Sequence, residues 1–244
     1  DARGVFTLAP PPASTGYLLP LRGTCSLPAM MVQVKKKQGG SPVRQIAHAM
    51  KGSRNFNFRY VIKDGAGDYE VTIYGKKTLG SLSLNGLCSF TVRSDADLPK
   101  NFGGLDISGS ILAYVKRVMG KTVGSGECWD LAQEALDGTG ADWSRPFQFG
   151  LPLDPERDEV KAGDIIQFKS VRIERKLDNG GRFFHTMGAP DHTAIIIGVE
   201  GKKQYRLAHQ NSDGKRYVIT SEVDLNYMTA GTFWIYRPAA GIIP

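Results

Sequence analysis

Short stretches in which apolar and polar residues alternate recur along much of this chain, and the β-strands that they predict are what most restricts its fold. The alternation is strongest at Phe56, Phe58 and Tyr60, within "NFNFRYVIKD". Side chains of a strand point alternately to its two faces, so a period of two is typical of half-buried strands. Glycine and aspartate turns such as "KDGAGD" separate the stretches. We therefore predict that residues 17–95 form a small β-sandwich of the immunoglobulin type.

The pattern changes after residue 95, and this change predicts a second domain. Residues 1–16 are rich in proline, serine and threonine and are expected to form an extended lead-in, and residues 96–104 have the composition of a linker. Apolar residues at helical spacing follow in "SGSILAYVKRVMG" and "CWDLAQEALDG", and strand-like stretches then resume. We predict an α+β domain over residues 105–244, with its helices packed on an antiparallel sheet.

The charge of the chain limits its partners only loosely. The net charge of +7 over 244 residues favours anionic partners in general, but the basic residues are scattered. The two short basic runs, 35–37 and 202–203, lack the interleaved aromatic residues of a nucleic-acid platform, so we expect no nucleic-acid partner. No apolar run approaches the ~20 residues that cross a bilayer, so we predict no transmembrane segment.

The three cysteines divide into two groups along the chain. Cys25 and Cys88 fall near the first and last strands of the predicted sandwich, whereas Cys128 lies apart. In an oxidising compartment a disulfide between Cys25 and Cys88 would link those strands, and the alternative is two free thiols. The separate position of Cys128 suggests a separate role.

Cys128 follows a glycine-rich turn, in "GSGECWDLAQEAL", at the start of the second predicted helix. The unpaired N–H groups and the helix dipole at such a position favour a thiolate, although the neighbouring Glu127 opposes it. A cysteine nucleophile also needs a base within hydrogen-bond reach and a third polar group that orients the base.

Two of the four histidines are predicted to meet on neighbouring strands. The turn at 200–203 joins two strand-like stretches, and in such a hairpin the numbers of paired residues sum to about 403. His192 then lies opposite residue 211, and His209 and Asn211 project from one face of the next strand. Either of them can orient His192, whereas Gln210 should point away.

At these residues the chain resembles the NlpC/P60 and CHAP group of the papain-like superfamily. The resemblance covers residues 105–238 and rests on "GECWDLA", "AGDIIQF", "DHTAIIIGV" and "LAHQN". It implies that Cys128 is the nucleophile, His192 the general base and His209 the orienting residue. We expect Asn211, Trp129 and Asp191 to contact the substrate.

The resemblance also implies what such a protein does and where it is found. It implies a secreted or periplasmic, cell-envelope cysteine hydrolase that cleaves amide bonds in peptidoglycan or another peptide. We expect a monomer that uses no metal or other cofactor. Two alternatives remain open: an inactive papain-like domain in a secreted binding protein, and a transglutaminase-like acyl transferase.

Overall fold

The computed structural model describes residues 4–39, 43–78, 83–97, 107–143 and 148–243. The chain divides into two units. One contains Asp1–Asp106, Leu136–Gln148 and Ala239–Pro244, and the other contains Ile107–Ala135 and Phe149–Pro238. Residues 98–104 of the predicted linker lie outside the described residues, and the predicted domain boundaries stay predictions.

The first unit consists of strands in two sheets. In chain order its strands are β1 (Phe6–Leu8), β2 (Ser14–Thr15), β3 (Leu18–Cys25), β4 (Ala29–Lys36), β5 (Arg44–Ala49), β6 (Asn55–Val61), β7 (Gly67–Lys76) and β8 (Leu84–Ser94), joined by β15 (Ile242–Ile243) from the end of the chain. One sheet has the order β1-β3-β6-β15 and the other β2-β8-β7-β4-β5. Phe56, Phe58 and Tyr60 of β6 are all buried, as their alternation predicts.

The second unit contains one sheet of six strands, the whole of one helix and the start of another. Its elements are α1 (Ser108–Val118), α2 (Cys128–Thr139), β9 (Leu151–Leu153), β10 (Ile165–Lys176), β11 (Arg182–Gly201), β12 (Gln204–His209), β13 (Ile219–Asp224), a 3-10 turn (Leu225–Tyr227) and β14 (Met228–Arg237). The sheet order is β13-β12-β11-β10-β14-β9, and every neighbouring pair is antiparallel. Neither α1 nor α2, the helices of the described part of the chain, is long and apolar enough to span a membrane.

The predicted fold class is wrong, because the described residues are mostly strand. Three sheets of four, five and six strands dominate the structure, and α1 and α2 have only 11 and 12 residues. The chain is therefore not an α+β arrangement of helices packed on a sheet. The immunoglobulin type is not supported either, since the four-stranded sheet takes an edge strand from residues 242–243.

The hairpin of β10 and β11 adds to this strand content. The strands pair from Val171↔Met187 to Lys176↔Arg182, in a segment whose many charged residues suggest a loop. Val171, Ile173 and Met187 are nevertheless buried in one core cluster. The charged residues occupy the exposed positions of these strands, so the alternation is present but is easily overlooked.

The predicted disulfide is also wrong, because Cys25 and Cys88 are both free thiols. Cys25 ends β3 of the four-stranded sheet, whereas Cys88 lies on β8 of the five-stranded sheet, opposite Ile73. The Cys25 thiol donates to the carbonyl oxygens of Leu27 and Ala29, at 3.6 and 3.8 Å. Burial raises the pKa of Cys25, which keeps this thiol protonated.

Candidate active site

Cys128 is the first residue of α2, and the turn before it is held by a buried carboxylate. Asp130 Oδ2 accepts hydrogen bonds from Ser125 N at 2.7 Å, Ser125 Oγ at 2.8 Å and Glu127 N at 3.1 Å. Gly124 has φ +57°, and a Cβ at this position would lie 2.7 Å from the Asp130 carboxylate. The turn thus needs glycine at 124 and an acceptor at 130.

Gln210 joins this turn to the end of β12. Its side chain is fully buried, its Oε1 accepts from Val123 N at 3.0 Å, and its Nε2 donates to Val123 O and Glu127 O, both at 2.8 Å. All of the hydrogen bonds found for this amide go to the backbone that precedes Cys128. Sequence reasoning placed Gln210 away from His192 but missed this role.

His192 and His209 contact each other as the hairpin register predicts. Ile195 pairs with Ala208 and Ile196 with Leu207, which matches the expected sum of 403. His192 Nε2 lies 2.7 Å from His209 Nδ1, with the rings nearly perpendicular at 84°. The two residues are only 6% and 1% exposed.

Asn211, the other candidate for orienting His192, is engaged elsewhere. Its Nδ2 donates to Glu127 Oε2 at 2.8 Å, and Arg216 also donates to the Glu127 carboxylate, at 2.5 Å. The geometry therefore favours His209 over Asn211 as the partner of His192.

His209 has a further neighbour that sequence reasoning missed. Ser221 Oγ, on β13, lies 2.9 Å from His209 Nε2. Ser221 pairs with Leu207, two residues before His209 on β12. No motif in the sequence marks this serine, because the contact depends on the pairing of β12 with β13.

Cys128 and His192 open into one cavity of about 240 Å³. Its remaining lining comes from β11 and from the segment after β12: Thr186, Met187, Gly188, Ala189, Asp191, Asn211, Ser212 and Asp213. Two of the predicted substrate contacts, Asp191 and Asn211, thus border the space beside Cys128. Trp129 is not among the lining residues.

A larger cavity of about 520 Å³ has a lining that includes neither Cys128 nor His192. His185 of β11 borders it, together with core residues such as Ile173 and Tyr205. Its size does not make it the active site, because it brings no nucleophile and base together. Within the described residues, no group of three or more histidine, cysteine, aspartate or glutamate side chains could hold a metal ion.

Burial keeps the cysteine and both histidines neutral at physiological pH. Burial raises the pKa of the Cys128 thiol, a backbone hydrogen bond from Thr193 lowers it, and the charge of Glu127 raises it further. Burial also lowers the pKa of His192 to about 4; the charges of His209 and His185 act in the same direction, whereas Asp213 opposes them. The pKa of His209 falls to about 4, again chiefly through burial. The cavity therefore holds a thiol and a neutral imidazole, rather than the thiolate expected at a helix start.

Comparison with known proteins places this region in a family context. The model of the AIM3/BBC1 cysteine proteinase-fold domain matches residues 105–242. A curated relative is Altered inheritance of mitochondria protein 3 of the yeast Debaryomyces hansenii, 31% identical over 146 residues. The aligned region is 52% of this chain and only 15% of the relative. The matching family is a cysteine proteinase fold, as the resemblance implied, and the match does not support NlpC/P60 or CHAP specifically.

Two solved structures align with part of the chain. The structure of Ly7917 covers 54% of this chain and 62% of its own, at 19% identity and a TM-score of 0.36. The structure of Ly7917 with the hydrolyzing product of MDP gives the same coverage, at 18% identity and a TM-score of 0.35. At these TM-scores the likeness carries no argument about this chain.

The predicted location, secreted or periplasmic in a cell envelope, is wrong. The curated relative is a yeast protein named for the inheritance of mitochondria, which conflicts with an exported cell-envelope enzyme. The disulfide that an oxidising compartment would allow is not formed either, since Cys25 and Cys88 are free thiols.

Proposed function

The chain belongs to the AIM3/BBC1 cysteine proteinase-fold domain family through residues 105–242, and on this premise we propose that it is a cysteine hydrolase. Cys128 is the nucleophile, His192 the general base and His209 the residue that orients His192. One observation carries the proposal: Cys128 and His192 line the same cavity, and His192 is held by His209 at 2.7 Å. This is the arrangement that nucleophilic acyl chemistry requires.

The first half of the reaction forms a thioester. Cys128 Sγ attacks the carbonyl carbon of an amide while its proton passes to His192 Nδ1, the ring nitrogen that His209 leaves available. Because the thiol pKa is raised and the His192 pKa is about 4, the proton moves as the carbon–sulfur bond forms, not before. The His192 imidazolium then protonates the leaving amine, and the carbon–nitrogen bond breaks.

The second half of the reaction releases the acid. His192, neutral again, takes a proton from water, whose oxygen attacks the thioester carbonyl. The carbon–sulfur bond breaks, and His192 returns its proton to Cys128 Sγ. In both halves the oxyanion accepts a hydrogen bond from the backbone N–H of Cys128 at the start of α2, where the first N–H groups of a helix have no intrahelical acceptor.

One charged side chain supports the imidazolium that forms during each half. Asp213 lines the cavity and its charge raises the pKa of both His192 and His209. Asp191 lines the same cavity. No lysine or arginine is found among the described lining residues, so the proposal includes a preference for amides that carry a positive charge near the scissile bond.

The proposed substrate is a peptide or other amide. The peptidoglycan substrate has no support from a yeast relative and is not retained. The expectations of a monomer and of no nucleic-acid partner stay predictions.

The test is a digest of a defined peptide library by the full chain, read by mass spectrometry. The wild type should cleave at least one class of amide, and Cys128→Ala and Cys128→Ser should not. Cys88→Ser is the matched control, because this thiol is also partly accessible but lies on β8, and it should cleave like the wild type. Cleavage by Cys128→Ala at the wild-type rate, or none by the wild type across the library, would refute the proposal.

The acyl-transferase alternative is separated in the same experiment. A primary amine such as glycine ethyl ester is added at millimolar concentration. A hydrolase releases mainly the free acid, whereas an acyl transferase releases mainly the new amide.

A further inference from the structure

Three polar side chains on three adjacent strands form a single line of hydrogen bonds. His192 lies on β11, His209 on β12 and Ser221 on β13. His209 uses both ring nitrogens: Nδ1 lies 2.7 Å from His192 Nε2, and Nε2 lies 2.9 Å from Ser221 Oγ. Each neutral ring carries one N–H, so the nitrogen that is protonated on one ring determines which nitrogen is protonated on the other.

Only two arrangements of these protons satisfy both contacts. In the first, His192 Nε2–H donates to His209 Nδ1 and His209 Nε2–H donates to Ser221 Oγ. In the second, Ser221 Oγ–H donates to His209 Nε2 and His209 Nδ1–H donates to His192 Nε2. The first leaves a lone pair on His192 Nδ1, whereas the second places a proton there.

The two arrangements differ in what they allow Cys128 to do. A lone pair on His192 Nδ1 can take the thiol proton. With a proton on Nδ1, His192 cannot act as a base, and the sulfur would have to accept a hydrogen bond, which it does weakly. Which of the two proton arrangements is present therefore decides whether His192 can activate Cys128.

We propose that Ser221 is a positioning residue that accepts the His209 Nε2–H and so holds His192 in the tautomer that can deprotonate Cys128. Both the tautomer assignment and its catalytic consequence rest on the proposed function, because the two contacts alone are satisfied by either arrangement. Ser221 acts through His209 and does not touch the substrate. It would be the fourth member of a line that runs from Cys128 through both histidines.

A direct readout of this role is the tautomer of each ring in the full-length chain. Nitrogen-15 shifts of labelled histidine distinguish Nδ1–H from Nε2–H at neutral pH. In the wild type both His192 and His209 should be Nε2–H. In Ser221→Ala the His209 Nε2–H loses its acceptor, so both rings should gain a substantial Nδ1–H population.

Two further variants distinguish the loss of the Ser221 hydroxyl from a general disturbance of β13. Ser221→Thr keeps the hydroxyl and a β-branched side chain suits a strand, so its histidine spectrum should match the wild type. Thr220→Ala is the matched control, because Thr220 is exposed and neighbouring side chains on β13 point to opposite faces. An Nδ1–H tautomer in the wild type, or an unchanged spectrum in Ser221→Ala, overturns the proposal.

Kinetics give the second readout. With a substrate of the wild type, Ser221→Ala should lower kcat about tenfold with KM unchanged, and Ser221→Thr should restore it. An unchanged kcat in Ser221→Ala would overturn the catalytic part of the role. If the wild type hydrolyses nothing, the proposed function fails, whereas the nitrogen-15 result still decides the tautomer assignment.

Discussion

Replacing Gln210 by alanine should loosen the turn that carries Cys128 while leaving the sheet of the second unit in place. Gln210 is fully buried, and its amide makes three hydrogen bonds, two with Val123 and one with the Glu127 carbonyl. Alanine removes all three and leaves the backbone groups of residues 123 and 127 without these partners.

The expected cost follows from this count. A typical hydrogen bond contributes about 1 kcal/mol net, and a buried polar group left unpaired costs about 1–3 kcal/mol. Three bonds lost in a buried site thus predict that the free energy of unfolding of the second unit falls by about 3 kcal/mol. The effect on hydrogen exchange in the turn should be larger than the effect on the free energy of unfolding, since the turn depends directly on this side chain.

Two measurements report the two effects. Urea unfolding gives the change in the free energy of unfolding, and amide hydrogen exchange at Val123 N reports the turn itself. Gln204→Ala is the matched control: the same residue type on β12 is half-buried and donates a single hydrogen bond to Asp224 Oδ2 at 2.9 Å. It should cost about 0.5–1 kcal/mol and leave exchange at Val123 unchanged.

The reasoning is refuted if Gln210→Ala costs no more than Gln204→Ala and Val123 exchanges at the wild-type rate. That result would mean that the turn before Cys128 is held by Asp130 and the helix start alone.

Three further predictions concern the charges of the site. Iodoacetamide should label Cys128 slowly at pH 7 and faster as the pH rises, because burial raises the pKa of the thiol. Fast labelling that is constant from pH 6 to 8, mapped by mass spectrometry, would contradict this. His192 and His209 together bind fewer protons when folded than unfolded between pH 6.5 and about 4, so the free energy of unfolding should fall as the pH drops through this window. Acid unfolding of a variant with both histidines changed to glutamine should lack this slope, and an equal slope would contradict the prediction. Asp213→Asn should lower kcat/KM on both substrate types, because it removes a charge that supports the His192 imidazolium, and the loss should be about tenfold greater for lysine-containing amides than for neutral ones. The exposed Asp178→Asn should change neither. Equal losses on both substrate types would contradict the charge preference.

Part of this site could be predicted from the sequence, because it depends on local geometry. The turn at 200–203 sets the register of β11 and β12, and the register brings His192 and His209 together. The position of Cys128 at a helix start follows from the glycine turn before it and the apolar spacing after it. Both inferences use residues close in the sequence.

The electrostatic state of the site could not be predicted in this way. A helix start favours a thiolate, and the sequence offered only Glu127 against it. Burial of Cys128, His192 and His209 proved to be the larger effect. Burial depends on which strands cover the site, and no local pattern reports that.

The sequence by itself determined the buried face of β6, the helix that begins at Cys128 and the contact of His192 with His209, because each follows from periodicity or from a short turn. Only the tertiary structure decided the long β10–β11 hairpin, the free Cys25 and Cys88 thiols and the contacts of Gln210 and Ser221. These features join residues that are distant in sequence, and such contacts are set by how whole elements pack, which alternation along one strand does not specify.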